Sequence, residues 1–156
     1  MKQLRDTKAL VTGAAGGIGR CIALGLAKQG MHVALLDVDT AGLNAVADEV
    51  RAAGVEAIAL PCDLAQADAI DAALDALLAQ WSDIHILVNN AGVCFYGAVD
   101  RMTDDDWDRT LAINLQAPIR LTHKLLPVLQ AQDEAHIVNI CSMFGLFAFR
   151  HAAAYV

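Results

Sequence analysis

The sequence predicts an α/β fold, a parallel sheet with helices packed on both faces. Its strand-like segments are apolar at consecutive positions, as strands covered on both sides require. They alternate with longer segments whose apolar residues return every three or four positions, the period of a helix. At 156 residues, with no repeat, low-complexity stretch or linker, the chain reads as one domain over 1–156.

Ala9-Leu10-Val11 is a short apolar run that leads into a glycine-rich turn, Thr12-Gly13-Ala14-Ala15-Gly16-Gly17-Ile18-Gly19. Ile18, Ile22 and Leu26 then recur at helical spacing until Gly30 stops that helix. His32 to Leu36 makes a second buried run, and Leu43, Val46 and Val50 mark a helix closed by Gly54. Val55 to Leu60 is a third strand. Ile70, Leu74, Leu77, Leu78 and Trp81 put an apolar face on a third helix, with Asp68, Asp71 and Asp75 on the opposite side. Ile84 to Val88 is a fourth strand. A long helix starts near Thr103, where a threonine N-cap and acids at 104–106 suit the helix dipole. Ile137 to Ile140 is a fifth strand. The segment from His151 is expected to open a further helix that the end at Val156 interrupts, leaving the sheet truncated after the fifth strand with an uncovered edge.

Composition excludes several function classes. Net charge is −7 with no block of Lys or Arg, against a nucleic-acid footprint and against binding to an anionic membrane surface. No stretch approaches the length of an apolar membrane span, and the charged N-terminus does not resemble a secretory signal, so the expected location is the cytoplasm. Cys21, Cys62, Cys94 and Cys141 are widely spaced and form no Cys-x-x-Cys pair. They are expected to be free, mostly buried thiols, neither disulfides nor a metal site. The five histidines are scattered and are read as non-ligands.

The glycine turn follows a strand and opens a helix, the context that a dinucleotide-binding turn requires. Gly13 permits the tight turn, Gly17 lets the backbone approach a pyrophosphate, and Gly19 lets the helix pack closely. The helix N-terminus then offers free N–H groups and a partial positive charge to the phosphates. Asp37 closes the second strand, where a carboxylate accepts hydrogen bonds from both ribose hydroxyls and repels a 2′-phosphate. Neither Gly16 nor Val38 offers a cation to offset it, so NAD is expected over NADP. These features make the fold Rossmann-like and the domain NAD(P)-binding.

Taken together, Thr12-Gly13-x-x-x-Gly17-x-Gly19, Asn89-Asn90-Ala91-Gly92, Asn114, Ser142 and Tyr155 resemble the short-chain dehydrogenase/reductase family, over essentially the whole chain. The resemblance implies that Asn90, Ala91 and Gly92 line the cofactor cleft, with Ile18 beside them. It also implies that Asp63 and Leu64, after the third strand, meet the adenine. Asn114, Ser142 and Tyr155 fall on three of the four catalytic positions, Tyr155 thirteen residues after Ser142. The fourth, a lysine, would stand at position 159, beyond the last residue. Cys141 replaces a serine often found before the catalytic serine.

The implied reaction moves a hydride between nicotinamide and a secondary alcohol or ketone, with Tyr155 as acid/base and Ser142 holding the substrate oxygen. A phenol has a pKa of about 10, so poising one near neutrality takes about 4 kcal/mol of stabilisation from nearby positive charge. Pro118 removes the helical partner of the Asn114 carbonyl, so the long helix is expected to bend and leave that carbonyl free for a water. Phe95, Tyr96, Phe144, Phe147 and Phe149 either line an apolar substrate pocket or simply pack. Family members usually pair through the long helix, so a homodimer or homotetramer is expected of the complete enzyme. The alternative is a catalytically inactive nucleotide-binding module without the lysine.

Overall fold

In a computed structural model, residues 3–147 and 150–155 are described; Phe149, named above as a pocket candidate, lies outside them, as do Met1, Lys2, Ala148 and Val156. Among the described residues there are five parallel strands: β1 (Lys8–Thr12), β2 (His32–Asp37), β3 (Ala57–Pro61), β4 (Ile86–Asn89) and β5 (His136–Asn139). Their order across the sheet is β3-β2-β1-β4-β5. The chain therefore winds outward from β1 in one direction and then returns to β1's other side. Such a reversal opens a crevice at the carboxyl ends of β1 and β4.

Period-two alternation along each strand divides the core in two. Leu10, Ala34, Leu36, Leu60 and Leu87 face α3 (Ala67–Leu78) and α5 (Ala117–Gln130), meeting Ile70, Leu74, Leu77, Leu121 and Leu125. Ala9, Val11, Val33 and Leu35 face the other way, toward Ala23 and Ala27 of α1 (Gly17–Lys28) and Leu43, Val46 and Val50 of α2 (Thr40–Ala52). Leu10 pairs with Ala34 on one side and Leu87 on the other, so β1 is the central strand, buried from Ala9 to Thr12. β5 is the exposed edge, with all four residues accessible.

The helical segments add detail to the expectation. The long helix is not α-helical throughout: α4 (Asp104–Leu111) passes through a π-turn (112–116) into α5, and the Ala117 N–H bonds the carbonyl of Ala112, five residues back. Pro118 then lies in the first turn of α5, where its missing N–H is tolerated. Thr103 does cap α4, in a reciprocal box with Asp106. Asp71, placed opposite the apolar face of α3, points across to α5, where Arg120 Nε donates to it at 2.7 Å and Lys124 Nζ lies at 3.1 Å. Residues 150 to 155 are turns apart from Ala152, with no helix assigned among them, and the Tyr155 N–H bonds the Ala152 carbonyl at 3.0 Å.

The thiols also differ from expectation. All four are free, but only Cys62 is buried; Cys21, Cys94 and Cys141 are exposed. Among the described residues no helix is long and apolar enough to cross a membrane.

Candidate active site

Thr12, at the end of β1, organises the crevice. Its hydroxyl, on a residue only 2% exposed, donates to the Val88 carbonyl (3.3 Å) and accepts from the N–H groups of Asn90 (2.9 Å) and Ala91 (3.0 Å). The Asn90 amide reaches back, its Nδ2 donating to the carbonyls of Thr12 (2.9 Å) and Gly13 (3.3 Å). The two strand ends are therefore stitched together from both sides. Sequence reasoning placed Thr12 at the head of the turn but gave it no role; a hydroxyl ending an otherwise apolar strand was the available signal.

The glycines fit this seam sterically. Gly13 has φ +64, and a Cβ there would stand 2.9 Å from Ala91 Cα. At Gly19 a Cβ would stand 2.0 Å from the Gly13 carbonyl oxygen, so only glycine lets α1 start so close to the loop. Gly17 has φ +52 and open space where a side chain would be. α1 carries no side-chain cap and no acid in its first turn, which leaves its N-terminal N–H groups and positive dipole end uncompensated. A backbone cradle of this kind suits an anionic pyrophosphate, and the residues present fit one.

Asp37 ends β2 with both oxygens already engaged: Oδ2 accepts from the Ala15 N–H and Oδ1 from the Asp39 N–H, each at 3.0 Å. Each carboxylate oxygen retains a second acceptor position. Asp63 follows β3; its Oδ1 accepts from the Ala65 N–H (3.0 Å), and its Oδ2 lies 3.8 Å from Nη1 of Arg109 on α4. Burial pushes the neighbouring Cys62 thiol up to about 11, with the Asp63 charge adding to the effect.

Three adjoining cavities share Ala91 and Gly92 and form one cleft along the carboxyl ends of the strands. The first, about 160 Å³, is lined by Gly13, Asp37, Val38, Asp63, Leu64 and Arg109 among others. The second, about 470 Å³, includes Gly13, Gly16, Ile18, Asp37 and Asn90. The third, about 550 Å³, brings together Ile18, Asn90, Cys94, Asn114, Cys141, Ser142 and Tyr155. Gly17 and Gly19 line none of the three; they shape the turn from behind. Of the pocket candidates Phe95, Tyr96, Phe144 and Phe147, none lines the third cavity; Phe144 instead sets its ring edge-on to Tyr155, with centroids 6.1 Å apart.

Within that cavity each polar group has a defined local role. Asn114 makes a two-point clamp on Val93: Oδ1 accepts from its N–H (2.8 Å) and Nδ2 donates to its carbonyl (2.7 Å). Ser142 Oγ accepts from the Phe144 N–H (3.2 Å), which leaves its hydroxyl proton free to donate. Tyr155 is half-buried, and its backbone N–H closes a turn on Ala152 (3.0 Å). Arg109 was not foreseen; it lies four residues before Ile113, which lines the same cavity, and that helical spacing was its only signal.

A family model described as short chain dehydrogenase matches residues 7–156. A 3-oxoacyl-(acyl-carrier-protein) reductase from Staphylococcus epidermidis is 36% identical over 155 residues, covering 97% of this chain and 62% of its own length. A short-chain dehydrogenase/reductase from Burkholderia phymatum, solved with NAD, superposes with a TM-score of 0.93 at 33% identity, covering 99% of this chain and 56% of that one. A metagenomic short-chain oxidoreductase solved with NADP gives a TM-score of 0.92 at 40% identity, covering 97% and 69%. The chain spans between 56% and 62% of the length of the curated relatives it matches.

Proposed function

This chain belongs to the short-chain dehydrogenase family, and from that premise we propose that it serves an NAD-dependent oxidoreductase acting on a secondary alcohol or ketone in the cytoplasm. The observation that carries the reading is the meeting of Asn114, Ser142 and Tyr155 with Ile18, Ala91 and Gly92 on one cavity. In this reading the glycine turn and the start of α1 hold the pyrophosphate, and Asp37 takes the ribose hydroxyls. Asp63 and Leu64 take the adenine, while Ile18, Asn90, Ala91 and Gly92 flank the nicotinamide half.

When bound, the nicotinamide supplies hydride to a carbonyl carbon or accepts it from a carbinol carbon. The Ser142 hydroxyl, its acceptor side occupied by Phe144 N–H, donates to the substrate oxygen and steadies its developing charge. The Tyr155 hydroxyl gives that oxygen its proton as ketone becomes alcohol, and takes it back in the reverse direction. Asn114 fixes the Val93 backbone and with it the wall beside the reacting centre. NAD is preferred because Asp37 sets a negative charge where a 2′-phosphate would lie; relatives solved with NAD and with NADP both exist, so affinity decides. A homodimer or homotetramer is supported by the exposed Leu111, Leu115, Ile119 and Leu126 along α4, the π-turn and α5.

The test is reduction of a ketone panel with NADH, with Tyr155→Phe beside wild type. A loss of about 10²- to 10⁴-fold in turnover with unchanged NADH affinity is expected. Undiminished turnover refutes the acid/base role, and tighter binding of NADPH than NADH refutes the cofactor assignment.

A further inference from the structure

We propose that Arg109 is a base-clamping residue of the cleft: its guanidinium, tethered by Asp63, closes over one face of the adenine. The inference rests on the dinucleotide reading above and adds to it a residue that the glycine turn and strand ends do not supply. Among the described residues lining the three cavities, Arg109 is the single Lys or Arg side chain, set against the carboxylates of Asp37, Asp39 and Asp63. It enters from α4, on the wall of the cavity that also carries Ile113 and Val93.

Its present contact is loose. At 3.8 Å the Arg109–Asp63 pair is an ion pair without a hydrogen bond, and the two side chains are 48% and 33% exposed. Asp63 has committed its other oxygen to the Ala65 N–H, so its position is set, whereas the five guanidinium donors are not spent. A planar cation held at one edge is suited to stack on a flat π-surface. The rest of this cavity, with Val38, Leu64, Val93 and Ile113, is the apolar slot that a heteroaromatic ring needs. Asp63 then has two duties, accepting from the base's exocyclic amino group and keeping the guanidinium over the ring.

Isothermal calorimetry with ADP-ribose, which carries the adenosine and the pyrophosphate but no nicotinamide, and with nicotinamide mononucleotide, which lacks the adenosine, tests this on wild type, Arg109→Ala and Arg109→Lys. Both variants are expected to weaken ADP-ribose by about three- to thirtyfold, and NAD by the same factor. Nicotinamide mononucleotide affinity and the melting temperature of the free protein are expected to hold. Unchanged ADP-ribose affinity in Arg109→Ala overturns the proposal. So does an equal loss for nicotinamide mononucleotide, the mark of a merely structural role, or full rescue by lysine, which removes the stacking. If wild type itself fails to bind ADP-ribose, the dinucleotide reading falls and this inference with it. If wild type binds and the variants bind equally well, only the clamp is lost.

Discussion

Gly19→Ala should be the most damaging single-methyl change in the glycine turn. The added carbon would lie 2.0 Å from the Gly13 oxygen and 2.7 Å from both Gly13 C and Asn90 Nδ2. Ordinary contact needs about 3.5 Å, so the loop or the helix must retreat by about 1.5 Å. Neither gives easily. The Gly13 carbonyl is held by Asn90 Nδ2, and α1 is packed on the core through Ala23 and Ala27, which are at most 1% exposed. Overpacking of this kind costs about 1–3 kcal/mol. For a chain of this size that lowers the melting temperature by about 2–12 °C. Gly16→Ala is the control, because Gly16 is extended (φ −162) and nothing lies within 4 Å of its missing side chain. Urea unfolding and NADH titration of the two variants would decide. Equal stability and equal NADH affinity for both would refute the steric account of the turn.

Other outcomes follow from the same geometry. Thr12→Val keeps the shape but strips two part-buried N–H groups, of Asn90 and Ala91, of their acceptor, and should cost about 1–3 kcal/mol in urea unfolding, with Thr12→Ser restoring most of it. The Arg120 hydrogen bonds, with Lys124 beside them, hold the Asp71 carboxyl down at about 2. A depressed folded-state value stabilises above the unfolded pKa and is lost as pH falls. The stability gap between wild type and Asp71→Asn should therefore be full near neutrality and close between about pH 4 and pH 2, as followed by melting temperature. Thiol alkylation at pH 8 followed by mass spectrometry should label Cys94 and Cys141 and spare Cys62, which is buried and shifted to about 11. NADH should slow the labelling of the first two, since both line the cavity with Ser142 and Tyr155.

The sheet was legible because its strands are buried on both faces, and such strands announce themselves as unbroken apolar runs. Their edges were less so: Ile84 is fully buried yet precedes β4, and Trp81 is buried beyond the end of α3. Burial continues past the last ladder bond, so an apolar pattern overshoots the element. Asp71 shows a different limit. A helical wheel separates it from the apolar stripe, but only the placement of α5 reveals the cations facing it. Asn114 was singled out by spacing, while its partner Val93 lies 21 residues away and became visible only once the loop after β4 met the π-turn. Exposure of Cys94 and Cys141 follows from loop and edge positions that a sequence does not carry.

Asp37 couples two properties that a protein engineer would want to adjust separately. One oxygen of its carboxylate anchors the loop at Ala15 and the other its own turn at Asp39. A replacement that admits a phosphorylated sugar but lacks an acceptor for Ala15 would also slacken the glycine turn, so in the proposed reading selectivity and rigidity trade off through one side chain. A swap that retains an acceptor for Ala15, such as asparagine, keeps the loop while giving up the charge. Redesign, and natural divergence at this position, should pass through such an intermediate before any cation is introduced.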